Sequence, residues 1–242
     1  MGIFKHHKKL STDTMSNGAK LITASNPKDP ISEQFRTIRT NIDFSSVDRD
    51  LKTVLFTSAD VSEGKSTVSA NMAVIWAQQG KRVLFVDADL RRPTVHMTFG
   101  LVNTKGLTTY LAQGADYHEL LGNSGIENLT ILTSGPVPPN PAELLNSKRM
   151  KDFLANSQNE FDIVVLDVPP LLSVTDTQVL SAEVDGVVLI VRQGIAQKVA
   201  VQRSVELLKM VNAKVLGYVL NDVSARSGYG YGYGYGYGYG YK

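Results

Sequence analysis

From residue 52 onward the chain repeats one unit, a short continuous apolar run followed by a longer segment of mixed polarity. The runs are "TVLFTSA" from Thr53, "RVLFVDAD" from Arg82, "LTILTSG" from Leu129, "DIVVLDVPP" from Asp162, "GVVLIVRQG" from Gly186 and "VLGYVLNDV" from Val215. They are rich in β-branched residues and do not alternate with polar ones. Strands hidden on both faces read this way, as in parallel sheets covered by helices. The intervening segments read as helices: "KSTVSANMAVIWAQQG", stopped by Gly80; "GLTTYLAQG"; "PAELLNSKRMKDFLANS", with Pro141 at its start; "DTQVLSAEV"; and "AQKVAVQRSVELLKMVNA". The alternation predicts an α/β domain with a doubly wound, mainly parallel sheet and helices on both faces. Ligands of such sheets sit at the carboxyl ends of strands. That draws attention to the ends of "TVLFTSA", "RVLFVDAD" and "DIVVLDVPP".

The flanks differ in character. Residues 1–29 are polar and basic and read as a flexible arm. Residues 30–45 read as an amphipathic helix. Asp29 is placed to cap it, Pro30 suits its first turn, and Ile31, Phe35, Ile38 and Ile42 recur at helical spacing. Glu33, Arg36 and Arg39 fall on another face. The main domain is expected over residues 30–223. After it, residues 224–242 form a low-complexity tail in which Tyr229, Tyr231, Tyr233, Tyr235, Tyr237, Tyr239 and Tyr241 alternate with glycine. Such a composition predicts disorder.

Composition removes several classes of chemistry. There is no cysteine, which excludes disulfides, thiol catalysis and zinc–thiolate sites, and the four histidines lack metal-ligand spacing. The net charge of +2 is weak evidence for a polyanionic partner, and no nucleic-acid partner is expected. No apolar run approaches the roughly 20 residues that a bilayer crossing takes. The protein is expected in the cytosol.

The first strand runs into "SADVSEGKST". Gly64, Lys65 and Ser66 match the essential end of a phosphate-binding loop, G-x-x-x-x-G-K-[ST], while Ala59 replaces its first glycine. A bare G-K-S is a weak signal. Its place between a buried strand and a helix makes it a strong one. Backbone N–H groups of Glu63 through Thr67 are expected to point at phosphate oxygens, Lys65 to neutralise them, and Ser66 to ligate Mg²⁺. The second strand ends "VDADLRRP". Asp87 and Asp89 share a side of the extended chain and need a cation beside them. The strand "DIVVLDVPP" carries Asp167, the expected carboxylate of a metal–nucleotide site. Three carboxylates and one lysine exceed what nucleotide binding alone requires, which leaves one carboxylate for proton transfer.

These motifs together resemble the bacterial tyrosine kinases, in particular the cytosolic type of Gram-positive capsule and exopolysaccharide systems. "SADVSEGKST" resembles their Walker A motif, "LFVDADLRRP" their Walker A′ motif and "IVVLDVPP" their Walker B motif. "EQFRTIRTNI" is similar to their oligomerisation helix, E-x-x-R-x-x-R-T, and "TSGPVPPNPAELL" and the tyrosine tail have counterparts as well. The resemblance implies a P-loop fold of the MinD/ParA type with ATP and Mg²⁺ as cofactors. It implies catalytic roles for Lys65, Asp87, Asp89 and Asp167, with Mg²⁺ held by Ser66, Asp89 and Asp167 and proton removal by Asp87. ATP would be bound by Glu63, Gly64, Lys65, Ser66, Thr67 and, at the adenine, Asn221. Glu33, Arg36 and Arg39 would join subunits in a ring. The tail tyrosines would be phosphoacceptors in trans. A separate transmembrane adaptor that recruits the kinase to the inner face of the membrane, a phosphotyrosine phosphatase and protein substrates in polysaccharide synthesis are also implied. Two positions depart from the family: Val61 and Ser62 stand where many members carry Pro-Gly. The alternative is a ParA/MinD-type positioning ATPase. Those proteins carry a signature lysine five residues before the P-loop lysine, where this chain has Asp60.

Overall fold

The computed structural model describes Thr14 and residues 17–45 and 50–223. The seven tail tyrosines lie outside the described residues. The sheet contains β1 (Thr53–Ser58), β2 (Val83–Asp87), β3 (Leu121–Asn123), β4 (Leu129–Leu132), β5 (Ile163–Asp167), β6 (Gly186–Arg192) and β7 (Val215–Asn221), in the spatial order β3-β4-β2-β5-β1-β6-β7. Every neighbouring pair is parallel except β3 with β4. The six expected strands are all present. The short antiparallel β3 was not foreseen, because "LGN" carries no run of strand-forming residues.

The continuous apolar runs have the predicted consequence. All residues of β1, β2 and β5 are buried. Alternate side chains go to opposite faces of a pleated strand. Val54, Phe56, Phe85 and Val165 therefore enter one core, while Leu55, Leu84, Val86, Val164 and Leu166 enter the other. The first core is closed by α3 (Lys65–Gln78), whose Met72, Ile75 and Trp76 are almost wholly buried, and by Phe35 and Ile42 of α2 (Pro30–Phe44). The second is closed by Phe153 and Leu154 of α7 (Lys148–Glu160), Leu180 of α8 (Asp176–Ser181) and Leu208 of α9 (Lys198–Met210). Strand β7 departs from the pattern. It lies at the edge, and Tyr218 and Leu220 are exposed.

Three expectations need correction. Residues 17–29, the end of the expected flexible arm, pack against the domain. They include α1 (Ile22–Ser25), where Thr23 is fully buried and its hydroxyl donates to Asn71 Oδ1 at 2.8 Å. In α2, Asp29 caps as expected, its Oδ1 accepting from Ile31 N at 2.8 Å, but Ile31 itself is exposed. Ser32 takes the inward position, donating to Asn26 O at 2.8 Å. Finally, "PAELLNSKRMKDFLANS" is two helices, α6 (Pro141–Leu145) and α7. Ser147 breaks the run by capping α7, accepting from Met150 N at 3.3 Å. A serine hydroxyl competes for backbone N–H groups in this way wherever the chain can bend. The remaining helices are α4 (Val95–Phe99) and α5 (Leu107–Gln113). Among the described residues no helix is long and apolar enough to cross a membrane.

Candidate nucleotide and phosphoryl-transfer site

The carboxyl ends of β1, β2, β5, β6 and β7 meet around one cleft. Its wall includes Val61, Gly64, Lys65, Ser66, Thr67, Asp89 and Asn221, and its volume is about 360 Å³. The turn after β1 delivers the phosphate loop. Gly64 has φ of +94°, in the left-handed region, and a Cβ there would lie 2.2 Å from Asn221 Nδ2. Glycine is thus required twice over, by backbone conformation and by space. Helix α3 starts at Lys65, and its first N–H groups have no intrahelical acceptor, which makes that end an anion site.

Lys65 is the centre of the charge arrangement. Its Nζ lies 3.1 Å from Asp89 Oδ2, 3.5 Å from Asp167 Oδ2 and 3.1 Å from Ser66 Oγ. Burial alone would lower the lysine's proton affinity. The charges of Asp167 and Asp89 outweigh it and keep the ammonium protonated well beyond its ordinary range. Asp167 is fully buried, and burial raises its pKa against the opposing pull of Lys65. Its Oδ1 accepts from Ser69 Oγ at 3.2 Å, while its Oδ2, 3.5 Å from the Lys65 ammonium, has no hydrogen-bond donor among the described residues.

Asp87, the last residue of β2, and Asp89, two residues on, have different surroundings. Asp89 is in the cleft wall and faces Lys65. Asp87 is fully buried behind it. Its Oδ1 accepts from Asp89 N at 3.2 Å, and its Oδ2 accepts from Thr94 N and Val95 N at 3.0 Å each. Burial, then the charge of Asp167, raises the Asp87 pKa well above the usual carboxylate range. The sequence placed both side chains on one side of the strand. The chain turns after β2, so only one of them reaches the cleft.

The same cleft contains residues that the sequence reading overlooked. Arg192 at the end of β6 and Asp222 just after β7 are both in its wall. The strand-end rule would have found them had it been applied to every strand. Arg91 makes a two-pronged ion pair with the fully buried Asp176, at 2.8 and 3.1 Å, tying the loop after β2 to α8. Glu33, Arg36 and Arg39 lie on α2 rather than at the cleft. Glu33 pairs with Arg36 in its own chain, and Arg36 also donates to Pro27 O at 2.9 Å.

The donor set suits Mg²⁺. Ser66, Asp89 and Asp167 supply hard oxygen ligands, and among the described residues the buried Oδ2 of Asp167 lacks a hydrogen-bond donor. In their present arrangement the Lys65 ammonium is the cation between the two carboxylates.

A family model described as an AAA domain matches residues 51–216. The tyrosine-protein kinase YwqD of Bacillus subtilis is 48% identical over 201 residues, which span 83% of this chain and 85% of that protein. The kinase domain of the Escherichia coli tyrosine kinase ETK superposes with a TM-score of 0.83 at 34% identity, covering 89% of this chain and 85% of that one. The cell-division ATPase MinD of Pyrococcus furiosus shares the fold, with a TM-score of 0.60 at 23% identity over 70% of this chain and 71% of that one. With the P-loop Lys65 set between Asp89 and Asp167, and with these relatives, this chain belongs to the bacterial tyrosine kinase family.

Proposed function

We propose that the protein transfers the γ-phosphoryl group of ATP to tyrosine hydroxyls, its own tail Tyr229, Tyr231, Tyr233, Tyr235, Tyr237, Tyr239 and Tyr241 included. The observation that carries this reading is Lys65, held between Asp89 and Asp167 at the start of α3. In the proposed reaction the tyrosine oxygen attacks the γ-phosphorus. The bond to the bridging oxygen of ADP breaks, and the phenolic proton passes to a carboxylate. A free tyrosine has a pKa of about 10, so a base is useful at neutral pH. Asp87 has the raised proton affinity a base needs, but both its oxygens already accept backbone N–H groups. For Asp87 to act, the bonds from Thr94 and Val95 must loosen; Asp89 already faces the cleft. Lys65 and the N–H groups of Glu63 through Thr67 hold the phosphates; Asn221, whose amide now bonds Glu63 O and Asp222 N, would have to release one of these to meet the base. Mg²⁺, held by Ser66, Asp89 and Asp167, would offset the charge that builds on the phosphate oxygens.

In this reading subunits form a ring through Glu33, Arg36 and Arg39, and a tail from one enters its neighbour's cleft. Each phosphorylation adds about −1.5 to −2 charges. Several of them would repel tails from the clefts and loosen the ring. Membership of the family supports a role in capsular or exopolysaccharide synthesis and export. The same membership supports a transmembrane adaptor that brings the kinase to the inner face of the membrane, a phosphatase partner and polysaccharide-synthesis proteins as substrates. The test is incubation with ATP and Mg²⁺ followed by phosphosite mapping. Lys65→Met should label no tyrosine. A chain truncated before Tyr229 should still label an added Lys65→Met chain. Normal labelling of its own tail by Lys65→Met would refute the assignment, and an unchanged solution mass after multisite phosphorylation would refute the ring-loosening step.

A further inference from the structure

The phosphate loop is held from outside by side chains at the ends of β6 and β7. Arg192 Nη1 donates to Ser62 O at 2.9 Å, and Asn221 Nδ2 donates to Glu63 O at 2.9 Å. The Glu63 side chain, only 1% exposed, closes the arrangement from within. Its Oε1 accepts from Asp60 N at 2.8 Å and its Oε2 from Arg192 N at 3.2 Å. Arg192 is itself fixed by Asp222, whose Oδ2 lies 3.2 Å from both Nε and Nη2.

Two physical consequences follow. In a planar trans peptide the N–H points opposite to the C=O. Anchoring the carbonyls of Ser62 and Glu63 therefore sets the direction of the N–H groups of Glu63 and Gly64, two of the groups expected to meet phosphate. Ser62 also has φ of +62°, a conformation unfavourable for a residue with a side chain. Such a residue persists only where its surroundings over-determine it. The bonds from Arg192 and Glu63 do so.

We propose that Arg192 and Glu63 are positioning residues for nucleotide binding, which hold the 59–64 loop in its phosphate-accepting shape. The proposal rests on the phosphate-site reading above, and it assigns the two residues to affinity rather than to the chemical step. Lys65, Asp89 and Asp167 keep their own contacts without Arg192, so the transfer rate at saturating ATP is expected to survive its loss.

The experiment compares the full chain with Arg192→Ala, Arg192→Lys and Glu63→Gln. It measures Mg·ADP affinity by calorimetry, KM for ATP and kcat, and thermal unfolding. Arg192→Ala should weaken Mg·ADP binding by about tenfold with kcat within about twofold of the parent. Arg192→Lys, which keeps the charge but not the fork of donors, should lose about threefold. Glu63→Gln decides between positioning and direct contact. Its amide has one acceptor for two N–H groups, so either Asp60 N or Arg192 N loses its partner whichever way it turns. A clear loss of affinity is expected there too, from a side chain too buried to touch nucleotide. If Arg192→Ala fails to fold, the other two variants carry the test. Unchanged Mg·ADP affinity with a lowered unfolding temperature would overturn the proposal, as would weakened binding in the Arg192 variants but not in Glu63→Gln. No binding of Mg·ADP by the parent chain would remove the phosphate-site reading itself.

Discussion

The ammonium of Lys65 stands 3.1 Å from an oxygen of Asp89, and that pair is closed from below by the fully buried Asp167 at 3.5 Å. One cation thus balances two carboxylates that are almost wholly buried. Removing one partner of a buried charge cluster costs about 3–5 kcal/mol, because the others are left uncompensated.

Lys65→Met is therefore expected to lower stability by several kcal/mol in magnesium-free buffer, on the order of that range. Added Mg²⁺ should recover part of the loss, since the freed carboxylates and Ser66 are oxygen ligands. Urea denaturation with and without magnesium checks both parts. Equal stability of variant and parent without the metal would contradict this account of the cluster.

Ser62 should tolerate replacement by glycine. The left-handed conformation costs a residue with a side chain about 1–2 kcal/mol, and glycine's extra chain entropy returns about 0.5–1 kcal/mol of that. Ser62→Gly is expected to raise stability by about 0.5–1 kcal/mol. Thermal unfolding reads the gain directly, and a loss would mean that the serine side chain contributes more than its strain.

Asn71 links the N-terminal segment to α3. Its Oδ1 accepts from the N–H and the hydroxyl of Thr23, at 3.1 and 2.8 Å. Its Nδ2 donates to the carbonyls of Lys20 and Thr67, at 2.8 Å each. Asn71→Ala would leave several buried polar groups without partners, at a cost of about 2–4 kcal/mol. Limited proteolysis should cut the variant within residues 17–29 faster than the parent, well below the temperature of global unfolding.

His118 joins the 3₁₀ turn at Tyr117–Leu120 to the end of α7, with Nδ1 2.6 Å from Asp116 Oδ1 and Nε2 2.9 Å from Glu160 Oε2. Asp116 first, and Glu160 second, raise its pKa. A group with a raised folded pKa stabilises fully below its unfolded value, about 6.5, and loses that contribution as pH rises through the folded one. The two carboxylates have lowered pKa values, Asp116 mainly through the His118 N–H and Glu160 through Tyr117. Their contribution is present above their unfolded values and lost in stronger acid. The destabilisation caused by His118→Ala should therefore be larger near about pH 5.5 than near about pH 8.5. Denaturation midpoints at the two pH values test the sign.

Much of the fold was legible because parallel strands buried on both faces need uninterrupted apolar residues, and "TVLFTS", "VLFVD" and "IVVLD" supply them. The loop at Gly64–Ser66 and the carboxylates Asp89 and Asp167 were legible for a related reason: a strand-end site recruits neighbours of fixed sequence position. The inward turn of Ser32, the break at Ser147 and the docking of Thr23 onto Asn71 were not. Ser32 turns inward to a short-range bond with Asn26 O, Ser147 caps a bend that competes with a regular helix, and Thr23 finds its partner 48 residues away in Asn71.

Local pattern and spacing are enough to carry the layered α/β architecture, the phosphate loop and the family. Only the tertiary structure separated Asp87 from Asp89, sending one into backbone hydrogen bonds and the other into the cleft. It alone brought Arg192 and Asp222 to a loop some 130 or more residues earlier in the chain, beside the expected Asn221. Strand order is what does this. Parallel pairing sets β6 beside β1 and β7 beside β6, so the ends of chemically unremarkable strands become walls of the site.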